Sequence, residues 1–547
     1  MLMNLLDNVG DRNPQAFREL KGRLTPRNIL ITGVVSGLAQ FCLFQYYINF
    51  NIQDGNDWSW HIFQALNFII VFTLLVGGTY LLINDLAREE HRGTLNFLRI
   101  SPQSSQSLLM GKMLGVPSLL YLSIAFAVPF YLWAGISAGI SLTQILMLSI
   151  VVIASCILWF SIAILFAFTT FWFSGFQAWL GSGTVLLFLF TTTTLSVYDN
   201  NLNNPLVWLR LWNPLTLLQY WFAITNTRKF YPTDSLSVSN MDFFNLPISN
   251  NNFILVGVIM INYLVWSYLI WQSINRLFRN PHATVLSKKQ SYIFVIWLQF
   301  INFGFALQSS IFTNQNQQFY HNTHNNLISN LLIILVVNVF FVLGLMAMLL
   351  PQRQALLDWA RYRHYNMAQG EVYGKNSLWK DLLVGEKSPA VLAMAINLLI
   401  LSFPAILLIV VMGFFMVIGG SNSGGEFFLN TFFVMAFTGI LAMIYTSIVQ
   451  RIFLLANPKR SLLAAGTIAS LLILPPTILG VLGISPSVHP NVWLFSTFPW
   501  AAMGSASPFN MAIALLGHLA VFVGLNWNLH STLKLAGESE TKVLISY

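Results

Sequence analysis

Apolar residues run in long blocks along this chain, separated by short polar interruptions. Blocks of about 20 residues recur throughout, the length an α-helix needs to cross roughly 30 Å of hydrocarbon. They predict helices near residues 29–49, 60–83, 113–135, 142–170, 178–197 and 252–272. A second set follows near 291–310, 326–349, 390–418, 428–453, 462–483 and 508–531. The 178–197 run is rich in Gly and Thr, and 462–483 contains Pro475 and Pro476. A membrane helix tolerates proline where neighbours satisfy the freed carbonyl. The pattern predicts an all-α polytopic membrane protein with about twelve transmembrane helices.

Composition strengthens this reading. Of the 547 residues, 56% are apolar and 8% charged, against about 25% charged in soluble proteins. So little charge cannot cover the surface of a large soluble protein. The net charge of +9 does not signal nucleic-acid binding, because Lys and Arg sit in short blocks beside the apolar runs and build no basic face. Cys42 and Cys156 are the two cysteines, and both fall within apolar runs, so no disulfide framework is expected.

Charge also orients the chain. With twelve spans and a cytoplasmic N-terminus, only Arg210, Arg228 and Lys229 of the 27 Lys and Arg residues fall outside. That segregation follows the positive-inside rule and predicts both termini on the cytoplasmic side of a cell (inner) membrane. The first run follows Arg18, Lys21, Arg23 and Arg27 and has no small-x-small cleavage site after it, so it is expected to stay as the first span.

No Asp, Glu, Lys or Arg falls in the middle of a span, so an ion-driven relay lacks its usual counter-charge. His518 reads as a neutral hydrogen-bond partner to a neighbouring helix. Asn262, Asn302, Asn338 and Asn397 read as interhelical ties worth about 0.5–2 kcal/mol each. Gly33 and Gly37, Gly111 and Gly115, and Gly135 and Gly139 have the small-x-x-x-small spacing of close helix packing.

Residues 84–102, NDLAREEHRGTLNFLRISP, interrupt two apolar runs on the expected cytoplasmic side. A connecting turn needs about 2–8 residues; this interruption is far longer and reads as short helix, bend, short helix. Gly93 can bend the backbone, Thr94 can cap a helical turn, and Pro102 stops continuation after Ser101. Leu95, Phe97, Leu98 and Ile100 supply an apolar patch just after Glu89 and Glu90. Acidic residues suit an anionic membrane surface poorly, so an elbow offered to a cytoplasmic partner is favoured over an element lying on the membrane.

The stretch EHRGTLNFLRISP, followed by SLLMGKMLG, resembles the hallmark of ABC-2 type transporter permeases over residues 12–285. The resemblance implies that Glu89 or Glu90, Gly93, Thr94, Leu95, Ser101, Pro102, Gly111 and Lys112 form an elbow coupling to a separate cytoplasmic ABC ATPase subunit. It also implies that Arg18, Glu19, Lys21 and Arg23 belong to an interfacial N-terminal helix, and that segment 198–251 carries extracytoplasmic helices. ATP and Mg²⁺ would then be used by the partner, with no cofactor in this chain. A homodimer or a second permease chain, set among membrane lipids, would complete the pore.

The expected organisation is a cytoplasmic segment 1–28, a six-span domain 29–285 with its elbow at 84–112, a two-span segment 286–350, a cytoplasmic linker 351–389, a four-span bundle 390–531 and a tail 532–547. The second half lacks another G-T-L elbow, so it is either a worn repeat or an accessory bundle. No G-x-x-x-x-G-K-[ST], H-E-x-x-H or G-x-S-x-G motif occurs, and no Cys-His cluster has ligand spacing, so no catalytic, cofactor or metal residues are expected. The reading is a permease subunit, an exporter with a lipid-like or hydrophobic cargo. Its rivals are a non-transporting scaffold built on the same bundle and an integral-membrane enzyme.

Overall fold

Long apolar blocks become long helices because a helix satisfies its own backbone groups where no water is available. The computed structural model describes residues 10–50, 58–170, 175–198, 205–218, 241–244, 246–248, 251–307, 317–368, 378–418, 424–457 and 459–545. Much of the expected segment 198–251, residues 369–377 of the linker and residues 546–547 of the tail lie outside these. Among the described residues, ten helices are long and apolar enough to cross a membrane. The expected spans 178–197 and 291–310 are also helical, as Gln177–Tyr198 and Lys288–Ala306, yet the count of twelve is not reached by that measure. Lys288, Lys289, Gln290, Gln299 and Asn302 dilute the second.

The chain forms two compact units, residues 1–281 with 304–316, and residues 282–303 with 317–547. In the first unit the apolar helices are α2 (Pro26–Phe50), α3 (Trp58–His91), α6 (Ser118–Ser137), α7 (Leu142–Thr169), α8 (Gln177–Tyr198) and α10 (Asn252–Arg279). Short α1 (Pro14–Arg23), α4 (Thr94–Ile100), α5 (Ser105–Gly115) and α9 (Val207–Arg210) join them. Helix α7 is the most buried and packs on α3 and α10. Its start is set by a capping box between Ser141 and Gln144.

Within α3 a π-helical turn spans Thr73–Gly77. Directly after it, a Cβ at Gly78 would lie 2.5 Å from the Phe160 ring, so only glycine permits this approach. Asn67 accepts from the Tyr131 hydroxyl at 3.0 Å and ties α3 to α6. Asn262, by contrast, is buried in α10 with neither amide atom hydrogen-bonded, so it is not the interhelical tie its sequence position suggested.

The described part of segment 198–251 is not a solvated loop. Val207, Trp208, Leu211, Leu215 and Leu217 are buried. The Asn213 amide donates to Thr192 and Thr193 hydroxyls, both at 2.9 Å, and the Tyr263 hydroxyl donates to the Leu211 carbonyl at 2.6 Å. These bonds stitch the segment to α8 and α10.

The second unit contains α11 (Lys288–Ala306, its last residues in the first unit), α12 (Gln317–Leu349), α13 (Arg353–Ala368), α14 (Leu378–Val384), α15 (Val391–Ile418), α16 (Gly424–Leu454), α17 (Arg460–Val481), α18 (Pro490–Leu494) and α19 (Pro508–Ile545). Three polar side chains in this unit make hydrogen bonds. Asn397 donates to the Ser291 hydroxyl at 2.9 Å, Asn338 accepts from Gln299 at 2.8 Å, and the two His518 ring nitrogens face the Ala514 and Ser496 carbonyls at 2.8 and 3.3 Å. Asn302 is fully buried.

At the start of α11, the buried Lys288 ammonium donates to Leu382 O, Ser388 Oγ and Pro389 O at 2.8, 2.7 and 3.0 Å. Burial pushes its pKa down from 10.5 to about 8, against the opposing pull of Asp381. With the folded pKa below the unfolded one, folded protein loses its proton first as pH rises. Stability therefore increases between about pH 8 and 10.5, by about 1.4 kcal/mol per unit at most. The stability difference between wild type and Lys288→Met should shift toward wild type across that window and stay flat between pH 6 and about pH 7, read from detergent-solubilised thermal unfolding.

Candidate functional site

The elbow is assembled from three chain segments that glycine and polar caps bring together. Asn13 caps α1, accepting from the Ala16 amide at 3.0 Å, while its own amide donates to the Ser107 carbonyl of α5 at 2.7 Å. Helix α1 crosses α5 over Gly111 and Gly115. A Cβ at Gly111 would meet Asn13 Oδ1 at 2.7 Å, and one at Gly115 would meet the Glu19 Cβ at 2.4 Å. The small-x-x-x-small spacing of α5 therefore serves the N-terminal helix.

That crossing puts Lys112 beside Glu19. Lys112 is 1% exposed, and its Nζ lies 2.6 Å from Asp85, 2.8 Å from Glu89 and 3.7 Å from Glu19. Two guanidinium groups close the ring from α1. Arg18 reaches Glu89 at 3.0 Å and Glu19 at 3.1 Å; Arg23 reaches Asp85 at 2.9 Å and Glu19 at 3.4 Å. Three carboxylates thus face three cations, and formal charge balances. Lys21 stands apart over the Phe17 ring. The three carboxylates converge closely enough to hold a metal ion, but the Lys112 ammonium already occupies the point between them.

Gly93 adopts a left-handed conformation at φ 72° and separates α3 from α4. Gly93 itself holds the cap position, so Thr94 does not cap; its hydroxyl donates to the Glu89 carbonyl at 3.1 Å. Ser101 ends α4 in an extended conformation and Pro102 is exposed beyond it. Arg99 donates to the Phe278 carbonyl at 3.1 Å, and the Ser105 hydroxyl bonds Asn275 at 3.0 Å. The elbow is thereby fastened to the last turns of α10 as well as to α1.

The structure reverses the expected outward face. Glu89 turns inward to Lys112 and Arg18, and Glu90 lies 3.8 Å from Arg99. Leu95 is 0% exposed, whereas Phe97 and Ile100 are 77% and 82% exposed. The exposed charges around them are Arg88, His91 and Arg92. The reason is helical phase: Asp85 and Glu89 lie one turn apart on the face that meets α1 and α5, so the opposite face points outward. Asp85 was missed by the sequence reading, although its i, i+4 spacing to Glu89 was available as a signal.

Residues 35–273 match the family model described as ABC-2 family transporter protein. Over these residues, fewer than half of the chain, the sequence is similar to that family. No curated protein and no solved structure matches the chain. The matched residues take in α3 to α9, most of α2 and α10 and the buried segment around Asn213, while α1 and the remainder of the chain lie beyond the match. The chain is a multi-pass membrane protein, and the family is a transport component rather than a catalyst. The site agrees with that chemistry. Its ion pairs and hydrogen bonds tie α3, α4 and α5 to α1 and α10.

Proposed function

We propose that this chain is the permease subunit of an ATP-driven exporter and docks a separate cytoplasmic ABC ATPase through the exposed face of α4. The observation that carries this reading is the pair Phe97 and Ile100, standing exposed on an elbow whose acidic residues and Leu95 are turned inward. Contiguous exposed apolar residues with a polar rim mark an interaction site. With Arg88, His91 and Arg92 around them, the complementary surface is an apolar pocket with an acidic rim. ATP and Mg²⁺ act in that partner, since this sequence carries no phosphate loop.

Movement of a docked ATPase would reach the bundle by two routes, through Arg99 and Ser105 into α10 and through the Lys112 cluster into α1. The cargo is lipid-like or hydrophobic, because an ion in mid-membrane would find no counter-charge on the spans. Affinity purification from native membranes tests the reading. An ATPase should copurify, and its turnover should change when this chain is present. Consistent absence of such a partner sinks the proposal in favour of a scaffold.

A further inference from the structure

The second unit contains a partly open cavity that the elbow and its proposed role do not use. It has a volume of about 390 Å³ and lies among α12, α15, α16 and α17, with Trp500 at one side. A smaller cavity of about 120 Å³ adjoins it and shares Leu335, Asn338 and Met435. The larger volume falls in the range of small-molecule sites, about 300–1,000 Å³. We propose that this cavity is a binding site for an uncharged amphiphile, with its apolar chain among Val342, Leu398, Leu441 and Met443 and a hydrogen-bond acceptor at Asn338.

Three features select that chemistry. No charged residue lines either cavity, and an unpaired charge would lose its hydration there without compensation. Next, three polar groups in the wall are already engaged. Ser402 donates to Leu398 O at 2.8 Å, Thr438 donates to Val434 O at 2.7 Å, and Trp500 donates to Thr438 at 3.0 Å. Asn338 differs. Its Oδ1 accepts from Gln299, which orients the amide and leaves the Nδ2 donor on the wall common to both cavities. An ester, amide or hydroxyl oxygen suits that donor. Finally, Gly439 lines the void and a Cβ there would meet nothing within 4 Å. The glycine contributes open space here, so a larger side chain can fill the cavity without pushing on a neighbour.

The test uses the full chain in lipid nanodiscs, with a diazirine-bearing monoacylglycerol as probe and a diazirine alkane and a diazirine alkyl-trimethylammonium as comparators. Photolabelling by the monoacylglycerol should concentrate on residues 335–346 and 432–443. Gly439→Phe should lower that labelling at least about five-fold and leave labelling of the exposed α2 face at Leu30 and Val34 unchanged. Asn338→Leu, which keeps the volume, should weaken labelling by the monoacylglycerol and spare the alkane; the cation should label neither variant nor wild type there. Lipid extraction separates the two sources of such a ligand. A neutral lipid retained by wild type and lost from Gly439→Phe marks a resident lipid, whereas labelling competed only by exported cargo marks a cargo site. Labelling equal on α2 and in the cavity, or unchanged in both variants, overturns the proposal. Because no ATPase enters this assay, its failure leaves the proposed coupling role untouched.

Discussion

Phe97→Asp combined with Ile100→Asp should abolish recovery of the ATPase subunit while this chain still inserts and keeps its thermal unfolding temperature. Both side chains are largely exposed in the isolated chain, at 77% and 82%, so replacing them removes almost nothing from its own core. At a docked interface the balance differs. Burying a large apolar side chain is worth about 1.5–3 kcal/mol, and an unpaired carboxylate in the same pocket adds a desolvation cost. A loss of about 3 kcal/mol already weakens binding more than 100-fold.

Leu95→Asp is the informative control. Leu95 is fully buried, so this change should lower the stability of the chain itself, a different signature in the same experiment. Complex recovery and coupled ATPase turnover within two-fold of wild type in the double variant would show that α4 is not the docking element.

The second large effect concerns Lys112. Its replacement by Met keeps the length and apolar stem of the side chain and removes the ammonium at the centre of three carboxylates. Removing one partner of a buried ionic cluster typically costs about 3–5 kcal/mol, because the remaining charges stay desolvated without compensation. Arg18 and Arg23 cannot move into the vacancy without abandoning Glu19, the residue they share. The N-terminal helix should detach from α5, seen as accelerated proteolysis near Arg18 and Arg23 and a lower unfolding temperature. Adding Asp85→Asn to Lys112→Met should recover a measurable part of the loss, since it removes the carboxylate closest to the missing ammonium. If Lys112→Met unfolds with wild-type stability, the cluster does not hold α1 in place.

Much of the architecture was legible in the sequence for one physical reason. A bilayer tolerates few ways of satisfying backbone groups, so a 20-residue apolar run has almost one outcome. Among the described residues, ten of the expected spans meet the length and hydropathy of a crossing helix, and the other two are helical as well. The Gly93 bend and the Ser101–Pro102 stop were legible too, since glycine and proline act through their own backbone chemistry.

The sequence by itself determined where the chain crosses the membrane, where it bends at Gly93, and that the elbow mixes acids with apolar residues. Those properties depend on neighbours a few positions away. Only the tertiary structure decided which elbow residues face out. Glu89 is spent on Lys112 and Arg18, residues 23 and 71 positions distant, and Leu95 is covered while Phe97 is not. Direction along a short helix follows from what its other face meets, here α1 lying across Gly111 and Gly115. Asp85 entered the site in the same way, and Asn262 makes no hydrogen bond among the described residues. The cavity beside Gly439 is the plainest case: a glycine in a long apolar helix reads alike whether it packs against a neighbour, as Gly78 does on Phe160, or opens onto empty space.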